Sequence, residues 1–475
     1  METDTRSEIV LIAPEGGWQY PDFMSTRRVF VKSAALLGAA SLVPERAPAQ
    51  SEHAELVTVD ARSDGTSVDF DRPMSAESVV DPATLARDEA YWNRVAQNYR
   101  SIDSVTNMEA GYFGMMAAPV LEAFHRNIDR ANRGSSHFSR REFPAIAQSV
   151  RERVASFVGA KPTEIVLSRG ATEALQALIS QYVRVGAGDT VMYADLDYNA
   201  MQWAMNALAA RRGANVARLN IPEPATREGI LAAYTTALDA NPRTRLLLLT
   251  HCNNKTGLII PVKDIVAIAR KRDVDVVVDA AHSFGQVPLS VQDLDADFVG
   301  LNLHKWIGAP VGAGAMYIRE GKLDLIERAH ADESAPASRI ESRLHTGTAN
   351  FAIVMTIPDA LDFQAKIGVE NKAARLRYLR DSWVKGVRSV SGVQVLTPDD
   401  ADLVGAITSF RLHGRTTTPA NQAIAKMLLD EFGLFTFYRT GLAKGDCVRV
   451  TPALYNGVAD AHQLAKAIAT IAARG

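Results

Sequence analysis

Asp279 closes the apolar run Val276-Val277-Val278, and His282 follows three residues later. A second apolar run then carries His304-Lys305-Trp306 into a turn with glycines at 308, 312 and 314. An acid at one strand end and a lysine at the next suit an aldehyde cofactor. The amine holds the aldehyde as a Schiff base, and the carboxylate keeps a ring nitrogen protonated. Together they point to pyridoxal 5′-phosphate (PLP). Asp279 would emerge at the carboxyl edge of its strand, where open α/β sheets place ligands.

Other segments carry weaker signals. Ser168-Arg169-Gly170-Ala171-Thr172 lies where a strand turns into a helix, whose buried stripe is Leu175, Leu178, Ile179 and Tyr182. Its first amides would face an anion, and Thr172 adds a hydroxyl. An ordinary capping turn would look the same. Thr250-His251-Cys252-Asn253-Asn254 follows another apolar strand, and an amide there could meet a cofactor oxygen; an Asn-rich turn closed by Gly257 is the plainer reading. Cys252 beside His251 does not make a nucleophilic dyad, because adjacent strand residues face opposite ways. Asp279, His282 and Ser283 lack the GxSxG elbow of a hydrolase, and the glycines after Lys305 do not spell GxGxxG.

These residues need a framework. From about 165 to 318, short apolar strands (164–167, 190–193, 245–249, 274–279) alternate with helices such as 172–183 and 262–272. The alternation predicts an α/β fold with a mainly parallel sheet covered on both faces. Residues 314–318 form a further strand, with an antiparallel one open. Helices are expected over 82–100 and 119–132. Beyond 351 the texture becomes α+β: helices over 353–367, 372–388, 420–431 and 460–473, with strands near 393–396 and 406–412. The expected division is a signal region at 1–50, a lead-in at 51–104, a large cofactor-binding domain at 105–350 and a small C-terminal domain at 351–475.

The 475 residues suffice for two such domains. With 52 Lys plus Arg against 54 Asp plus Glu, no global field favours nucleic acid or an anionic membrane. A small-molecule substrate is expected. No CxxC or HExxH supports a metal site, so metal-free chemistry is expected; Cys252 and Cys447, the only cysteines, leave a single disulfide open. Ser25-Thr26-Arg27-Arg28-Val29-Phe30-Val31-Lys32 resembles a twin-arginine export signal, followed by a short apolar stretch and the cleavage-type Ala47-Pro48-Ala49. The expected location is the periplasm or cell exterior, without stable membrane insertion, because that stretch is too short to span. Met1 and Met24 are both candidate starts.

In joint order, these pieces resemble the class V aminotransferases, a family of fold-type-I PLP enzymes that includes cysteine desulfurases and isopenicillin N epimerase. The resemblance covers about residues 105–472. It implies a seven-stranded-type large-domain sheet and a PLP cofactor attached to Lys305, with Asp279 on the ring nitrogen and His282 near the phenolic oxygen. By the same resemblance, Gly170, Ala171 and Thr172 hold the phosphate, with Asn302 and His304 close by. Tyr198 stacks on the ring, and Asn254 lies near the cofactor oxygen. Val448-Arg449-Val450-Thr451-Pro452-Ala453-Leu454-Tyr455-Asn456 resembles a family element that assigns Arg449 to the substrate α-carboxylate; Arg439 matches a second active-site arginine. Thr348, in Gly347-Thr348, matches a residue that reaches the neighbouring subunit's phosphate, which implies a homodimer with shared active sites.

The segment Leu442-Ala443-Lys444-Gly445-Asp446 lacks the loop cysteine a desulfurase needs. Epimerase, aminotransferase and carbon–sulfur or β-lyase chemistry at an amino-acid Cα remain open. The rival from another class is an exported, non-catalytic protein that uses the pocket only to hold PLP or an amine.

Overall fold

The computed structural model describes residues 81–330 and 333–474. The export signal expected at 25–49 lies outside them, as do the other residues up to 80. The described chain belongs to one compact unit.

Seven strands form the central sheet: β1 (Ile165–Ser168), β2 (Thr190–Ala194), β3 (Asn215–Leu219), β4 (Thr244–Thr250), β5 (Asp275–Asp279), β6 (Phe298–Asn302) and β7 (Gly314–Ile318). Their order is β1-β7-β6-β5-β4-β2-β3. Strands β2 to β6 pair in parallel, while β7 runs antiparallel to both β1 and β6. This is the α/β architecture the strand–helix alternation predicts. Strand β3 escaped that reading because it is an edge strand with mostly exposed residues and no apolar run.

Side-chain parity sorts the sheet into two cores. Leu246, Leu248 and Val277 pack with Leu175, Leu178 and Ile179 of helix Ala171–Ser180. Leu247, Leu249, Val276 and Val278 join the opposite core with Ile265 and Val266 of helix Val262–Arg270. Both faces are covered, so the strands read as continuous apolar runs. Asp279 has the parity of Val277, which places it on the face carrying helix Ala171–Ser180. That helix lies hard against β6: a Cβ on Gly300 would come within 2.5 Å of Leu175 Cγ.

The C-terminal part carries a four-stranded antiparallel sheet in the order Phe437–Arg439, Cys447–Val450, Thr408–Leu412, Val393–Val395. Helices Val369–Val387 and Val458–Ala472 cover it through Trp383, Val384, Leu464 and Ile468, which meet Phe410, Val448 and Val450. Contacts cross the expected boundary at 350/351. Helix Phe351–Ile367 packs on helices Ala118–Arg141 and Phe143–Val158. Thr106–Asn107 pairs in parallel with Leu434–Phe435.

The helix expected over 82–100 is two pieces, Pro82–Leu85 and Glu89–Ala96. Asp88 interrupts it by accepting a hydrogen bond from the Tyr91 amide at 3.0 Å as an N-cap. Helix Phe143–Val158 was not anticipated, although its buried Val150, Val154 and Val158 follow helical spacing.

Candidate active site

A cavity of about 690 Å³ opens at the carboxyl ends of β4, β5 and β6. It is lined by every cofactor and substrate residue expected from the sequence except Thr348.

Asp279 is 3% exposed and accepts a hydrogen bond from the Ala281 amide at 2.9 Å. Burial raises its pKa; that hydrogen bond and the charge of Lys305 oppose the rise. Burial pushes Lys305 down to about 8, with Asp279 pulling the other way. Lys305 Nζ lies 2.9 Å from His282 Nε2. Burial, followed by the charges of Lys305 and the arginines, holds His282 well below its ordinary pKa, so the ring is neutral.

At the other end, the Ala171 amide donates to Asn302 Oδ1 at 2.7 Å. This amide, expected to face a phosphate, is therefore already engaged. The Thr172 and Glu173 amides precede the first intrahelical bond, which Ala174 makes to the Gly170 carbonyl, and Thr172 retains its hydroxyl on the cavity wall. His304 Nδ1 lies 2.8 Å from the Ala313 carbonyl, which fixes the ring beside Gly170.

Tyr198 occupies the N-cap position of helix Asn199–Arg212, with 39% of its surface exposed along the wall. Asn254 Oδ1, His282 Nδ1 and Arg439 Nε are buried, have no hydrogen-bond partner among the described residues, and belong to residues of the same wall. Buried polar atoms without partners cost about 1–3 kcal/mol each. Three of them around one cavity, facing a lysine–carboxylate pair and a helix N-terminus, fit a polar, anionic ring compound such as PLP.

The second end of the cavity holds Arg449 and Arg439. Arg449 is 1% exposed; its Nε donates to Glu109 Oε2 at 3.1 Å, its Nη2 to Glu109 Oε1, and its Nη1 to the Asn254 carbonyl at 2.9 Å. Arg439 Nη2 donates to the same Glu109 Oε1 at 2.6 Å. Burial lowers the Arg439 pKa to about 10, and Arg449 adds to the shift. Glu109 and the wall residues Gly111, Tyr112 and Phe113 were missed by sequence reasoning. The available signal was an acid between the apolar Met108 and Ala110, just before the Gly111-Tyr112-Phe113-Gly114 segment.

Thr348 is exposed and does not line this chain's cavity. Cys252 and Cys447 are buried free thiols, not a disulfide, and neither lines the cavity. Burial pushes each up to about 12, so neither supplies a thiolate.

The sheet order, the lysine at the end of β6 and the acid at the end of β5 define a fold-type-I PLP enzyme. A family profile described as Aminotransferase class-V matches residues 117–441, and the chain belongs to that family. It is 31% identical to isopenicillin N epimerase of Streptomyces clavuligerus over 326 residues, 65% of this chain and 81% of that protein. It is 29% identical to a putative L-cysteine desulfhydrase of Oryza sativa subsp. japonica over 384 residues, 76% of each. Among solved structures, it resembles a C-DES mutant with glycine covalently linked to its PLP cofactor. The TM-score is 0.68 at 20% identity, covering 78% of this chain and 98% of that one. The chain is thus a PLP-dependent enzyme, which sets aside the non-catalytic rival.

Proposed function

We propose that this enzyme moves the Cα proton of an amino acid or amino-acid derivative, and that the outcome is epimerisation. The observation carrying the reading is the 2.9 Å pair of Lys305 Nζ and His282 Nε2 beside buried Asp279. The name of the Streptomyces relative supports the epimerase outcome. The rice relative's name makes loss of a β-substituent, a carbon–sulfur or β-lyase reaction, the second reading. Transamination would begin with the same proton removal. Desulfurase chemistry is disfavoured, because residues 442–446 contain no cysteine and both thiols are buried.

PLP, when bound, supplies an aldehyde that captures the substrate amine and a ring that draws electrons from Cα. The chain's own residues do the rest. Asp279 would place a carboxylate for the ring nitrogen, while Thr172 and the start of its helix would hold the phosphate. Arg449 offers its guanidinium to the α-carboxylate, which fixes Cα in the cavity. Lys305 Nζ accepts the proton: with its pKa lowered to about 8, about a tenth of the amine is neutral at pH 7, far more than at the ordinary value of 10.5. His282 stays neutral, and its Nε2, 2.9 Å from Lys305 Nζ, fixes where that amine points.

The test is incubation with single amino acids in heavy water. Exchange at Cα with inversion and no keto acid supports epimerisation, ammonia release supports elimination, and keto acid formation supports transamination. No exchange with any amino acid would refute the proposal.

Two further features belong to it. The working unit is a homodimer in which exposed Thr348 reaches the partner's phosphate site. The enzyme is exported through its twin-arginine segment to the periplasm or cell exterior, and the cofactor is loaded before export.

A further inference from the structure

The arginine end of the cavity has an unusual charge balance. Two guanidinium groups, buried Arg449 and partly buried Arg439, share one carboxylate, Glu109. Glu109 is itself 8% exposed, and its Oε1 accepts from both arginines while Oε2 accepts from Arg449 Nε. The local sum is one positive charge, not two.

The donors of Arg449 can be counted. A guanidinium has five N–H groups. Glu109 takes Nε–H and one from Nη2, and the Asn254 carbonyl takes one from Nη1. One donor remains on each Nη, the pair that a single carboxylate accepts end-on. The guanidinium cannot turn away to offer more. Glu109 clamps one edge, and Gly111 lies so close to its face that a Cβ there would sit 2.6 Å from Nη2. Arg439 donates to Glu109 and, at 3.4 Å, to the Tyr438 carbonyl. Arg439 keeps donors for an anion, including a buried Nε with no partner among the described residues, but Glu109 has already neutralised one of the two guanidinium charges.

We infer that Glu109 is a specificity-determining residue: it tunes the pocket to substrates that bring one carboxylate to this end and rejects those that bring two. The inference rests on the proposed role of Arg449 in holding the substrate carboxylate. A second anion would meet the Glu109 charge at close range in a site largely shut off from water, where like charges repel strongly. Selectivity thus comes from a built-in repulsive element as much as from the attractive arginines.

The test uses PLP-loaded protein and two amine-free probes, propionate and succinate, titrated by calorimetry. Wild type should bind propionate more tightly. Glu109→Gln keeps the shape and removes the charge, and should raise the succinate-to-propionate affinity ratio about tenfold or more. Glu109→Asp retains the charge and should keep the wild-type preference. An unchanged ratio in Glu109→Gln, or parallel weakening of both probes, would overturn the inference and leave Glu109 a mere prop for Arg449. Because neither probe carries an amine, the ratio is read independently of Cα chemistry. Absence of Cα exchange would sink the proposed reaction while leaving this ratio intact, whereas failure to bind either probe would overturn both the inference and the role of Arg449.

Discussion

Reconstitution of the cofactor-free enzyme offers a quantitative check on the environment of Lys305. Only the neutral amine attacks an aldehyde, so the uptake rate follows the fraction of Lys305 that is deprotonated. A lysine at its ordinary value of 10.5 is neutral in about one molecule in a thousand at pH 7.5. With the value lowered to about 8, the neutral fraction at that pH is roughly one quarter, a gain of roughly 240-fold. The assay mixes cofactor-free protein with PLP in stopped flow from pH 6 to 10 and follows the cofactor absorbance, with free lysine as reference. The normalised rate should rise through a midpoint near 8. Asp279→Asn removes the strongest charge favouring the ammonium beside that amine, so its midpoint should move further down, even as the variant holds the ring less firmly. A midpoint near 10, or an Asp279→Asn midpoint shifted upward, would refute this account of burial and its opposing carboxylate.

Arg449→Ala should weaken carboxylate substrates by about 2–5 kcal/mol and amines lacking a carboxylate far less; equal losses for the two classes would contradict its role. Lys372 is 4% exposed, and its Nζ donates to the Trp306 carbonyl and, at 2.7 Å, to Gln364 Oε1, while burial lowers its pKa to about 7. Between pH 7 and 10.5 the unfolded chain binds more protons at this site than the folded one, so stability rises with pH. From pH 7 to 9 that rise amounts to about 2 kcal/mol. Urea unfolding of wild type and Lys372→Met at both pH values should show the variant lacking the rise; identical pH responses would count against it. Replacing Arg27 and Arg28 by Lys should leave the protein in the cytoplasm, and normal export on cell fractionation would reject the twin-arginine reading.

The local pattern of the chain was enough to locate Lys305, Asp279 and the turn at Gly170. Each lies where an apolar run ends, and a strand buried on both faces announces itself through that run alone. Alternation of strands with helices likewise determined the parallel sheet, since its crossovers need helices. Edge strand β3 was invisible because a half-exposed strand leaves no such run. Helix Phe143–Val158 is legible in the four-residue spacing of Val150, Val154 and Val158.

Tertiary structure alone decided the rest. Glu109 meets Arg449 across 340 positions of sequence and Arg439 across 330. No periodicity encodes a contact of that separation, which depends on how the N-terminal segment and the C-terminal sheet close over the same cavity. The same holds for the Ala171 amide, which a motif offers to an anion and the fold gives to Asn302. Residue types and spacing report which chemistry the chain can perform and which faces it buries. Which charges remain free to meet a substrate is settled only when distant segments have packed, because a buried charge takes whatever partner the fold brings within hydrogen-bonding reach.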